Sequence, residues 1–196
     1  MRVIAGKARG TRLISSEGLE TRPTSDRIKE SLFNIITPDL DDCCFLDLFS
    51  GSGGIGIEAL SRGAKEVTFV EVSKNALKCI QENIEKTKFK SFAKVLNTTN
   101  ITALAQFKRD NQKFDIIFMD PPYNKDLING TIDLITKYEL LTPNGYMIVE
   151  RDSSSKLTYG PELEFWKEKK YGKTTISFLR GKKIWRWEFI QVALIL

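Results

Sequence analysis

DLFSGSGGIGIEAL, residues 47–60, is the stretch from which the fold can be read. The apolar run that leads into it, Cys44-Phe45-Leu46-Asp47-Leu48-Phe49, reads as a buried strand. Gly51, Gly53, Gly54 and Gly56 follow, and then a helical pattern of Ile55, Ile57, Ala59 and Leu60 that Gly63 stops. Strand, glycine turn and helix form the first half of a βαβ unit. Glycine belongs in such a turn because a side chain would hold the backbone away from a ligand lying on it.

Gly51-Ser52-Gly53-Gly54-Ile55-Gly56 matches G-x-G-x-x-G, and Glu71 follows Gly51 by twenty positions at the end of a second β-like run, 67–71. An acidic residue so placed takes ribose hydroxyls. The turn alone leaves nicotinamide dinucleotides and S-adenosylmethionine (SAM) both open as ligands. Asp47 shifts the balance toward SAM. Its carboxylate, four residues before the first glycine, would repel a pyrophosphate and suits the cationic amino group of a methionine moiety. The plainer role for Asp47 is to cap a nearby backbone amide.

With 196 residues, the chain has the length of one domain of ~100–200 residues. Three cysteines, Cys43, Cys44 and Cys79, contain no C-x-x-C pair, and no signal peptide opens at Met1. These features predict reduced thiols in a cytoplasmic protein. Histidine is absent, which removes histidine triads, histidine general bases and most zinc chemistry, so no metal is expected. Charge is unevenly spread. Residues 1–30 hold seven Lys/Arg against four Asp/Glu, residues 31–164 fifteen against nineteen, and residues 165–196 eight against two. A mildly acidic body between two basic ends suits a cationic cofactor flanked by surfaces for a polyanion. The simpler account of each basic end is a solvated face.

Residues 2–5 and 11–14 read as a small N-terminal β-hairpin whose turn carries Gly6, Lys7, Ala8, Arg9 and Gly10. Pro23 makes Arg22 extended, so Arg22 precedes a helix capped by Thr24 or Ser25 and ended by Pro38. Arg22 and Arg27 are candidates to face the mouth of an active site. Further helices are expected near 74–86, 101–107 and 127–138, and strands near 92–96, 114–119 and 146–150, the last after a turn at Pro143-Asn144-Gly145. Strands at 165–171 and 174–179, split by Gly172, form an antiparallel pair. The alternation predicts an α/β fold: a mostly parallel sheet with helices on both faces, closed by a C-terminal hairpin. IWRWEFIQVALIL, 184–196, is shorter than the ~20 apolar residues that span a bilayer, so no membrane is expected.

In such a sheet ligands lie beyond the carboxyl ends of the strands. Asp47, Glu71, Asn97 and Asp120 each close a different strand, so all four can converge on one crevice. Asp120 begins Asp120-Pro121-Pro122-Tyr123. Each proline fixes φ and lacks an N–H, so the segment becomes a rigid turn that presents acceptors only. The natural guest of a carboxylate beside a carbonyl is an –NH2 group. The Tyr123 ring offers a face on which a base stacks, worth ~1–3 kcal/mol. Two acceptors on its hydrogens favour the pyramidal, nucleophilic form of an exocyclic amine, which can then attack a sulfonium methyl in line.

These residues, with RVIAGKARGTRL, TRPTSDRIKESLFNII, FVE, FDIIFMDPPY, NGYMIVE and KKYGKTTISFLRG, resemble the class I SAM-dependent methyltransferases that act on exocyclic amines. The likeness extends over roughly residues 1–180 and is to the bacterial 16S rRNA guanine-N2 methyltransferases of the RsmD type. Ala5 stands where the family has a glycine, and the chain after Gly181 departs from the family pattern. The resemblance implies a Rossmann-like fold with a seven-stranded sheet. With the chain's length, one methyltransferase domain is expected over 1–196, with 1–24 a basic hairpin extension, 40–180 the SAM-binding core and 182–196 an atypical tail to which the resemblance does not extend. The implied cofactor set is Asp47, Phe49, Gly51, Ser52, Gly53, Glu71, Val72 and Asn97, with Asp47 and the glycines at the methionine end, Glu71 on the ribose and Asn97 by the adenine. The implied catalytic set is Asp120, Pro121, Pro122 and Tyr123. Arg2, Lys7, Arg9, Arg12, Arg22, Arg27, Lys169 and Lys170 would grip 16S rRNA within the 30S subunit, and the target base would be flipped or already unstacked. Adenine-N6 methylation of DNA or RNA stays open, because Asp-Pro-Pro-Tyr serves both amines. A non-catalytic RNA-binding assembly factor is the alternative from another class.

Overall fold

The computed structural model describes residues 1–15, 26–122 and 125–182. Its strands are β1 (Cys44–Leu48), β2 (Glu66–Glu71), β3 (Ala93–Asn97), β4 (Phe114–Met119), β5 (Leu141–Asp152), β6 (Leu163–Tyr171) and β7 (Thr174–Gly181). They form one sheet in the order β3-β2-β1-β4-β5-β7-β6. The first five pair in parallel, and β7 pairs antiparallel with β5 and β6. Helices α1 (Asp26–Ile36), α2 (Gly54–Arg62) and α3 (Lys74–Thr87) pack on the face that carries Phe45, Phe69, Phe118 and Ile148. Helices α4 (Asn100–Arg109) and α5 (Lys125–Lys137) cover the face of Leu46, Val70, Ile117 and Met147. The mostly parallel sheet, the helices on both faces and the terminal antiparallel strands are those expected from the sequence.

The register explains how the acidic residues gather. Strand residues two apart share a face. Phe45, Phe69, Phe118 and Ile148 point toward α1–α3, so Asp47, Glu71, Asp120 and Glu150, each two positions on, stand on that side at the carboxyl ends. Asp47 lies between Phe69 and Phe118 in the ladder, and Met119 opposite Val149 sets Asp120 beside Glu150.

Pro143-Asn144-Gly145 is not a turn ahead of a strand. It lies inside β5, where the register against β4 moves from Phe114↔Leu141 to Ile116↔Tyr146. The excess residues bulge, and a bulge tolerates a proline that cannot donate to the ladder. The Asp115 carboxylate closes the gap by accepting from Cys44 N at 2.9 Å and Thr142 Oγ1 at 2.8 Å.

The N-terminal hairpin has one ladder bridge, Arg2↔Arg12. An isolated two-stranded hairpin is marginal in water, and here buried side chains of the helices hold it. The fully buried Glu58 on α2 accepts from Ile4 N at 2.8 Å and Ala5 N at 3.0 Å. It also pairs with the equally buried Lys29 at 3.0 Å and with Arg62 at 2.8 Å. Lys29 donates on to Arg2 O at 2.5 Å. The hairpin therefore runs along α2, with its tip at the last turn. There Lys7 N donates to Ser61 O at 2.7 Å and Ala8 N to Ser61 Oγ at 2.9 Å. Gly6 has φ +82°, and a Cβ on it would sit 1.8 Å from Ser61 O. Gly6→Ala is expected to cost roughly 2–5 kcal/mol, from overpacking of ~1–3 and left-handed backbone strain of ~1–2. Urea unfolding measures the loss.

Candidate active site

A cavity of about 490 Å³ opens beyond the carboxyl ends of β1, β2 and β4. That volume falls in the range of small-molecule sites, ~300–1,000 Å³. Asp47, Phe49, Gly51, Ser52, Glu71, Val72, Asp120 and Pro122 all line it. Strand β1 ends in an unusual turn: Phe49 has φ +67°, a conformation costing a bulky residue ~1–2 kcal/mol. Ser50 holds the turn. Its hydroxyl donates to Asp47 O at 2.6 Å and accepts from Val70 N at 3.0 Å.

The glycines divide the work. Gly51, at φ +53°, has nothing within 4 Å of where a Cβ would be, so its open side faces the cavity. A Cβ on Gly56 would lie 2.3 Å from the Phe69 ring, so that glycine serves the packing of α2 on the sheet. Gly53 is the N-cap of α2 and does not line the cavity.

Glu71 ties the glycine turn to β2. Its Oε2 accepts from Gly51 N at 2.8 Å, and its Oε1 accepts from Val72 N and Ser73 N, both at 2.8 Å. Three backbone donors leave lone-pair capacity on the carboxylate, which has about four acceptor sites.

Asp47 is 1% exposed and accepts from Gly56 N at 2.9 Å. Burial pushes its carboxyl up to about 8, against the pull of that N–H, and the negative Glu71 adds to the rise. Asp120 is held well above the usual carboxylate range, first by burial and then by the charges of Glu150 and Asp47. Carboxylates that repel one another in a poorly hydrated cavity bind a cation strongly, because it relieves all of them together. The thiols of Cys43, Cys44 and Cys79 are pushed up by burial and are not activated nucleophiles. Among the described residues no cluster of His, Cys, Asp or Glu could hold a metal ion.

Asn97 is not among the lining residues. It pairs with Glu71 in the ladder but is exposed. The chain turns immediately after it, where Thr98 N donates to Glu71 O at 3.2 Å, and Thr98, Thr99 and Asn100 take the wall instead. Thr99 caps α4 by accepting from Thr102 N at 3.2 Å, and Asn100 is anchored to Thr131 Oγ1 at 2.8 Å. A Thr-Thr-Asn start to a helix was the signal for this turn. Pro121 is buried and Pro122 reaches the cavity. Met1 and Ser15 also line it, which nothing in the sequence pattern announced. Tyr123, Arg22, the Thr24/Ser25 cap and the 184–196 tail lie outside the described residues.

The basic candidates fall into two groups on either side of α1. Arg2, Lys7, Arg9 and Arg12 are exposed on the hairpin, Lys169 and Lys170 are exposed on the edge strand β6, and Arg27 is exposed on α1 between them. Helix α1 touches both flanks, through Lys29 to Arg2 O and through Ser31 to the Tyr171 hydroxyl. Among the described residues no helix is long and apolar enough to cross a membrane.

The 3-2-1-4-5-7-6 sheet with a ligand turn after β1 and carboxylates at the strand ends is the fold of the class I SAM-dependent methyltransferases. The family model described as "Conserved hypothetical protein 95" matches residues 1–180, and the chain belongs to that family, the RsmD family. It is 39% identical over 175 residues to Ribosomal RNA small subunit methyltransferase D of Haemophilus influenzae, covering 88% of this chain and 89% of that one. A solved structure of yhhF from Escherichia coli matches with a TM-score of 0.81 at 32% identity, over 93% of this chain and 98% of the other. SMU.776, solved in complex with S-adenosylhomocysteine (SAH), shares the fold at TM-score 0.62 and 14% identity, over 75% of this chain and 48% of its own.

Proposed function

We propose that the protein transfers a methyl group from SAM to the exocyclic N2 amine of a guanine in small-subunit rRNA. One observation carries the reading. Asp47 and Asp120 line the same cavity, one beneath the glycine turn and the other at the start of a proline turn. The first suits the cationic end of the cofactor and the second suits an amine. Family membership and the name of the Haemophilus influenzae relative support a SAM-dependent enzyme acting on rRNA.

The residues fit SAM. Asp47 would hold the ammonium, the open side of Gly51 would admit the methionine backbone, Glu71 would take the ribose, and Val72 with Thr98–Asn100 would border the adenine. Bound there, SAM would supply a methyl group activated on a sulfonium. The rest of the chemistry belongs to the chain. Asp120 and a carbonyl of the Pro121-Pro122 turn accept the two amine hydrogens and turn the nitrogen lone pair toward the donor. Orientation of this kind supplies ~7–11 kcal/mol. As the nitrogen would bond to the methyl carbon, the carbon–sulfur bond would break to release SAH, and the nitrogen, now cationic, must lose a proton. A carboxylate with raised proton affinity, such as Asp120, is suited to take it.

The exposed basic groups on the hairpin, α1 and β6 would meet phosphates. Lys170→Ala is expected to weaken RNA binding and lower the slope of log K against log salt by ~0.7–0.9 if it neutralises one phosphate. An unchanged slope would return that lysine to plain surface.

The decisive experiment incubates the protein with labelled SAM and unmodified 30S subunits or naked 16S rRNA, then maps the label by mass spectrometry. Label on guanine N2 is expected. Label on adenine N6 would replace the acceptor. RNA binding with no transfer, indifferent to SAM, would make the protein an assembly factor.

A further inference from the structure

Residues 1–15 pair with one another through a few backbone bonds, among them Val3 N to Thr11 O and Leu13 N to Met1 O, and side chains from the helices satisfy much of the remaining backbone. One of these is Asn83 on α3, which is fully buried. Its Oδ1 accepts from Ile14 N at 2.8 Å, and its Nδ2 donates to Ile14 O at 2.8 Å and to Ser52 O at 3.0 Å. Both amide hydrogens are used. One side chain therefore acts as a strand partner for Ile14 and also ties it to the middle of the glycine turn. Ser52, one of the tied residues, and Ser15, next in the chain to the other, both line the cavity. Met1 lines it too, and its Sδ lies 2.4 Å from where a Cβ on Gly54 would be.

We propose that Asn83 is a positioning residue for the cofactor site, and that segment 1–15 is a wall of that site as well as part of the basic surface. The amide sets the gap between the N-terminal segment and the glycine turn, and that gap sets how closely the ligand is enclosed. The inference rests on reading the cavity as a SAM site. A buried Asn that only held α3 to the hairpin would move stability and leave the affinity of the folded protein alone. Lys86 is the internal control. It sits on the same helix and donates to Arg12 O at 2.6 Å, but it is exposed and lines no part of the cavity.

The test titrates SAH into the wild type, Asn83→Asp and Lys86→Ala well below their unfolding temperatures. Asn83→Asp keeps the shape and the acceptor for Ile14 N, but sets an oxygen against the carbonyls of Ile14 and Ser52. Its Kd is expected to rise about tenfold or more, the scale of buried backbone groups left unpaired, while Lys86→Ala stays within about twofold. A folded Asn83→Asp with wild-type affinity overturns the proposal. Hydrogen exchange on the wild type tests it without any variant. Saturating SAH should slow exchange at Ile14 together with the glycine turn; protection confined to residues 51–53 overturns it. A wild type that ignores SAH would overturn the reading of the cavity instead, and this inference with it.

Discussion

Asp120→Ala is expected to lower methyl transfer by roughly 10²–10³-fold, the loss seen when one preorganised electrostatic partner of a reacting group is deleted. SAH affinity should stay within about tenfold of wild type, because two effects of the change oppose each other. Removing Asp120 takes away a carboxyl that can attract the cofactor, and it also removes the Asp47–Asp120 repulsion. Single-turnover transfer with labelled SAM, beside an SAH titration, separates the two quantities. A variant with full activity would remove the amine-acceptor role. The same substitution should make stability, relative to wild type, rise with pH. The sign follows from linkage. A carboxyl whose folded pKa is raised contributes stability below its unfolded pKa of ~3.9, and loses it as pH rises through the folded value. Keeping the buried carboxyl therefore costs more as pH rises, so the melting temperature of Asp120→Ala relative to wild type should be higher at pH 8 than at pH 5.

What could be read from the chain, and what could not, divides by the range of the interaction. Ile55, Ile57 and Leu60 mark α2, and Ala76, Leu77, Ile80 and Ile84 mark α3, because helical periodicity is a local property. The glycine turn and Asp120-Pro121-Pro122 are local too, and both border the cavity. The failures are all of register or of long-range contact. Asn97 ends its strand as expected, but the wall is built by the three residues after it, since where a chain turns past a strand end is decided by the neighbouring strand. Glu58 reads as one more polar position on a helix, yet it is fully buried, because its four donors come from the hairpin, from α1 and from Arg62. Nothing near position 58 in the sequence reports those partners. Pro143 reads as a turn by its own preference, and the ladder overrides it with a bulge.

The affinity for the cofactor is expected to fall about tenfold for each pH unit below ~8, because burial raises the Asp47 carboxyl to about 8. An ammonium can pair only with the ionised carboxylate. Binding at pH 6 or 7 must therefore expel close to one proton, and the work of removing it is subtracted from the affinity. Above ~8 the ligand's own α-amino group starts to lose its charge, so affinity should peak near that pH. Calorimetric titration of SAH in buffers of different ionisation enthalpy counts the released protons directly. Asp47→Asn keeps the shape and loses the charge. It should weaken SAH binding by about 2–5 kcal/mol near the optimum, the scale of truncating one partner of a buried charged pair. It should also abolish the acid limb while leaving the alkaline one. Asp120→Ala should keep the acid limb, which separates the two carboxylates although the charge of Asp47 raises Asp120. Flat affinity from pH 6 to 8 with no proton release would mean that Asp47 is not the partner of the ammonium, and would leave it the plainer role of holding the Gly56 amide.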